Sequence, residues 1–113
     1  MSFVPSRRQH ARFACTLSLL AIASGVRGPL EGTMLNVGMG GAFVKVKGAL
    51  PGGSCTLRIT LGEETISLGA RVVRISSDPV ERLAGHYGLE FSTDSDTRQR
   101  VRLLVDRVRS QRA

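Results

Sequence analysis

Two short segments hold the residues best suited to chemistry. Arg7, Arg8 and Arg12 cluster near the N-terminus, with Gln9, His10 and Ala11 between them. About two dozen residues later comes Asn36-Val37-Gly38-Met39-Gly40-Gly41. A guanidinium is planar and always charged. Its forked N–H donors match phosphate oxygens and the O6/N7 edge of guanine. Glycines let a backbone come close to a ligand. An arginine cluster joined to a polar, glycine-rich turn is therefore a means of holding a small anion.

The other reactive side chains offer less. Cys15 and Cys55 stand 40 residues apart, without a C-x-x-C or a histidine at ligand spacing, which argues against zinc and any other metal site. Both lie in apolar runs and read as buried free thiols. No Ser-His-Asp ordering with a nucleophile elbow is present, Glu63-Glu64 falls in a turn, and the glycine turn lacks the lysine and length of a P-loop. The chain reads as a non-enzyme. His10 reads as a solvated loop residue and His86 as a strand-end residue.

The elements that must position the two segments follow from periodicity. Residues 13–21 read as a first strand, with Cys15, Leu17 and Leu19 on one face. The same region has the outline of a secretory signal, with a basic start, an apolar run and Ala21-Ile22-Ala23. Thr16 and Ser18 alternate with the apolar residues, however, and this favours a strand. Gly25, Gly28 and Pro29 form a turn. Residues 30–37 and 42–46 read as strands flanking the glycine turn, a hairpin-like element. After Pro51-Gly52-Gly53, the residues Cys55, Leu57, Ile59 and Leu61 alternate with Thr56, Arg58 and Thr60. The returning run of Ile66, Leu68, Ala70 and Val72 slips phase at Val73 and Ile75, which suggests a β-bulge. Residues 76–84 read as a loop around Asp78-Pro79, and residues 87–91 as the last strand. The period then changes. Val101, Leu104, Val105 and Val108 mark one face of a helix over 94–110, with N-cap candidates at 93–96. Arg98, Arg102, Arg107, Arg109 and Arg112 occupy its polar face, as a solvated stripe or a docking surface for an acidic partner.

With 113 residues the chain is one domain: a flexible basic arm over 1–11, a barrel over 12–92, and the terminal helix. The expected fold is all-β with a C-terminal helix, a small six-stranded antiparallel β-barrel that closes to hide its edges. No run is long enough to span a membrane. The formal net charge is +7 and 14 of the 16 basic residues are arginine, which points to an anionic partner.

The paired segments resemble the signature of the PilZ domain family, RxxxR followed by [D/N]xSxxG. Arg8 and Arg12 fill the first motif, and Asn36 and Gly41 the ends of the second. Gly38 stands where the family has serine. Gly88-Leu89-Glu90-Phe91 matches the family's late Gly-hydrophobic-x-Phe strand, so the similarity covers residues 7–110. The resemblance implies a six-stranded barrel with a C-terminal helix and a cytoplasmic bacterial receptor for cyclic di-GMP, a messenger with two phosphates and two guanines. It implies that Arg8 and Arg12 contact phosphates and guanine, with Arg7 as a third cation. Asn36 would hydrogen-bond a guanine edge, and Gly41 would keep the turn open for the base. Ordering of the arm over the barrel would alter contact with a downstream protein in motility, pili, exopolysaccharide or virulence. The missing serine hydroxyl should weaken binding by roughly 2- to 13-fold, and Gly38→Ser should tighten it by a small factor.

Two other functions fit parts of the pattern. Gly38 would suit a PilZ-like interaction module that does not bind nucleotide. A basic barrel could bind single-stranded nucleic acid, but that needs exposed stacking platforms, and the chain has only five aromatic residues, most in core-phase positions.

Overall fold

A strand that alternates apolar and polar residues lays one face on a core and the other toward solvent. The computed structural model describes residues 11–75 and 85–112. In it the clearest alternating run is a strand in which Cys55, Leu57, Ile59 and Leu61 are buried while Thr56, Arg58 and Thr60 are exposed. The described elements are β1 (Arg12–Ala23), β2 (Leu30–Gly38), β3 (Gly41–Val46), β4 (Gly53–Leu61), β5 (Glu64–Ile75), β6 (His86–Phe91) and the helix α1 (Ser95–Arg112). Arg7, Arg8, His10, most of the basic arm and the loop expected over 76–84 lie outside the described residues.

Neighbouring strands pair antiparallel in the order β1-β2-β3-β6-β5-β4, and β4 returns to β1 to close a barrel. The six-stranded antiparallel barrel with a C-terminal helix is thus the observed fold. β1 makes closure possible through its length. Residues 12–21 pair with β2, while residues 19–23 also pair with β4. The apolar stretch with a signal-like outline is the strand at this seam, and its Ala21 is fully buried.

Three register shifts re-aim side chains. On β5 the pairing with β6 steps from Val72 to Arg74, as the phase slip suggests, and Val73 is left 53% exposed. On β2 the pairing with β3 steps from Met34 to Asn36, so Leu35 is the extra residue. On β1 the pairing with β2 steps from Ala14 to Leu17. The β2 bulge was not foreseen. Met34 and Val37 are both fully buried. Residues three apart cannot share a face of a regular strand. The bulge resolves the conflict, and Asn36 is half-buried.

The core is aliphatic, centred on Met34, Leu57, Ile59, Leu68 and Leu89. Tyr87 is buried too, and its hydroxyl accepts from the Leu50 backbone N–H at 3.0 Å, which pins the β3–β4 connection. Val101, Leu104, Val105 and Val108 of α1 are all buried in the same core, at i, i+3, i+4 and i+7, and the helix packs on β5, β1 and β2. Its start is fixed by Asp94, whose Oδ2 accepts from the Thr97 N–H at 3.0 Å. Arg107 and Glu64 form an ion pair at 2.7 Å, and Arg109 lies over the Phe13 ring at 5.4 Å. Among the described residues no helix is long and apolar enough to cross a membrane.

Candidate functional site

The register of β1 on β2 brings the two sequence segments together. Arg12, the first residue of β1, stands opposite Gly38, the last of β2. The Arg12 Nη1 donates to Asn36 Oδ1 at 3.1 Å, across 24 residues of sequence. The Asn36 oxygen thereby accepts one hydrogen bond, and the other end of its amide is a donor.

A cavity of about 770 Å³ opens beside Arg12, with Asn36 outside its lining, in the size range of small-molecule sites. Arg12 and the 38–41 turn form part of its lining, and Leu89, Glu90 and Phe91 of β6 form another. Ser92, Thr93 and the first turns of α1, with Arg98 and Arg102, line it as well. Glu90 is held in an ion pair with Arg71 at 2.8 Å. Three arginines and one glutamate are the charged residues of the lining, a balance that favours an anion.

Gly38 and Gly41 are explained by close backbone approach. Neither has a positive φ. A β-carbon on Gly38 would meet the Ala11 carbonyl oxygen, with Arg12 Cγ at 3.3 Å. The residue that precedes β1 thus sits where a serine side chain would begin. A β-carbon on Gly41 would meet the Leu89 carbonyl oxygen. The glycine lets β3 and β6 close on each other, while the turn it ends lines the cavity.

Of the residues singled out by sequence, Arg12 and Asn36 are hydrogen-bonded to each other, Gly38 and Gly41 line the cavity, and Arg7 and Arg8 lie outside the described residues. Arg98, Arg102, Ser92 and Thr93 were missed as site residues. Their only signal is an arginine pair at i, i+4 soon after the last strand, and strand order alone reveals that β6 exits beside the 38–41 turn.

The thiols are not poised for chemistry. Burial raises Cys15 to about 11 and also raises Cys55. The Cys15 thiol points to the Met34 carbonyl at 3.6 Å. His86 is half-buried and stacks on Phe43 with ring centroids 5.6 Å apart. No cluster of metal-ligating side chains exists among the described residues.

The PilZ domain family matches residues 6–108 of the chain. No curated protein matches it. Among solved structures, the PilZ domain of YcgR from Escherichia coli, solved with c-di-GMP, aligns with a TM-score of 0.73 at 11% identity, covering 94% of each chain. The PilZ domain of CeSA from a cellulose-synthesizing bacterium aligns at 0.68 with 21% identity, covering 91% of this chain and 99% of that one. The Bacillus subtilis inhibitor of motility, MotI/DgrA, aligns at 0.65 with 28% identity. That alignment covers 94% of this chain and 52% of the other, so the chain spans about half of that protein's length.

Proposed function

The chain belongs to the PilZ domain family, and we propose that it is a cytoplasmic receptor for cyclic di-GMP whose bound form changes its contact with a downstream protein. The observation that supports this reading is the Arg12–Asn36 hydrogen bond on the edge of a cationic cavity. It joins one residue from each of the two segments that resemble the family motif. Arg12 brings to the site a guanidinium, the group chemically suited to a phosphate or to guanine O6/N7, and the Asn36 amide brings donors suited to a guanine acceptor. Arg7 and Arg8 supply further cations from the arm that leads into β1. Ordering that arm on the ligand is the event a partner would read. The domain acts as a binding module, not as an enzyme. Motility is the first process to examine, because one solved neighbour is an inhibitor of motility.

Isothermal titration calorimetry with cyclic di-GMP, with GTP as control, tests the reading. Saturable heat with cyclic di-GMP alone is expected. No heat and no thermal shift at high ligand concentration would overturn it.

One observation favours a second reading, an interaction module that no longer binds nucleotide. Gly38 carries no hydroxyl, and the Ala11 carbonyl fills the place of its side chain. In that case Arg8→Ala and Arg12→Ala would leave partner binding intact. A nucleic-acid barrel gains less support. Among the described aromatic residues, Tyr87 and Phe91 are buried, Phe13 lies under Arg109 and Phe43 stacks on His86.

A further inference from the structure

The cationic lining of the cavity comes from both ends of the fold. Arg12 enters from the first strand, and Arg98 and Arg102 from the last helix. Arg98 and Arg102 are four residues apart and so lie on one helix face. Both are exposed. Among the described residues neither guanidinium has a hydrogen-bond or ion-pair partner. Their neighbours on α1 are engaged: Arg100 donates to the Ser67 carbonyl at 3.2 Å, Arg107 pairs with Glu64, and Arg109 covers Phe13. Asp106 is one turn beyond Arg102, with no ion pair between them. The one carboxylate in the cavity lining, Glu90, is taken by Arg71.

Two like charges at i, i+4 repel and weaken a helix. Packing does not call for them, since the buried face of α1 is made by Val101, Leu104, Val105 and Val108. An anion between the two would turn the repulsion into attraction. Gly38 lines the same cavity without a hydroxyl, so the polar contact missing from the motif can come from the helix.

We propose that Arg98 and Arg102 form a second cationic wall of the ligand site and hold one phosphate of a bound cyclic dinucleotide. The assignment rests on the receptor reading above. Each guanidinium makes a charge-assisted contact, weighted to the low end of the usual range because both side chains are exposed. Removing one should weaken binding about tenfold, and removing both up to about a hundredfold.

The experiment is calorimetric titration of cyclic di-GMP into the wild type, Arg98→Ala, Arg102→Ala, the double variant and Arg100→Ala, with a thermal melt of each. The expected result is melting equal to or slightly above the wild type in the first three variants, with weaker binding, and a folded protein of wild-type affinity in Arg100→Ala. Arg98→Lys and Arg102→Lys should recover most of the affinity, because a charge near the phosphate is kept. Wild-type affinity in the double variant would overturn this inference and leave the receptor reading standing. Equal weakening by Arg100→Ala would also overturn it, by reducing the effect to general surface charge. Absence of binding by the wild type would remove both readings at once.

Discussion

A serine at position 38 would complete the family motif, and its β-carbon would meet the Ala11 carbonyl oxygen. Sequence reasoning predicts tighter binding for Gly38→Ser, through a regained hydroxyl. The structure reverses that expectation, and the cause is contact rather than dihedral angle, since φ at Gly38 is not positive. Forcing extra volume into a closed packing site costs about 1–3 kcal/mol. A hydroxyl that finds a partner returns about 0.5–1.5 kcal/mol. The net is a loss centred near 1 kcal/mol, about fivefold in an equilibrium constant. Arg12 stands directly opposite Gly38 in the ladder, so displacement there also disturbs the Arg12–Asn36 bond. Urea unfolding should therefore show a midpoint lowered by roughly 0.3–1 M, and calorimetry should show weaker cyclic di-GMP binding. Gly38→Ala adds the β-carbon without the hydroxyl and should be the less stable of the two. A Gly38→Ser protein as stable as the wild type, with tighter binding, would refute the steric account.

Arg12→Ala should weaken cyclic di-GMP binding by at least about tenfold, because a charge-assisted contact is lost and Asn36 loses the group that orients it; unchanged affinity by calorimetry would remove Arg12 from the site. Leu104→Ala should lower unfolding free energy by about 2–5 kcal/mol, since Leu104 is fully buried; a near-neutral urea midpoint would mean that the helix is not docked as described. The Asp94 carboxyl is held below its usual range, chiefly by the Thr97 N–H, so its contribution is present above the unfolded pKa and is lost as pH falls through the folded one. The stability advantage of the wild type over Asp94→Ala should shrink in acid, and an advantage independent of pH would contradict the cap.

Much of the barrel was legible because burial imposes a period. The alternation over residues 55–61 marked β4, and the slip at Val73 marked the β5 bulge. The β2 bulge was hidden, because Met34, Leu35 and Val37 are all apolar and fit either phase. That ambiguity concealed the register at Asn36. Part of the candidate site was legible as a motif-like pattern, since what arginine and glycine can do is visible one residue at a time. The α1 arginines were not, because their relation to the 38–41 turn depends on β6 lying between β3 and β5. That order is decided by pairing between strands far apart in the chain.

The cavity is bordered by the first strand and the last helix, so it does not exist in a chain that has let go of either. Any ligand that fills it binds the closed barrel alone. By mass action such a ligand at a hundred times its dissociation constant adds about 2.7 kcal/mol to the closed state. The concentration of a small molecule would then govern how often the termini detach, and with it the exposure of the chain to proteases. Occupancy would be recorded as lifetime as well as shape.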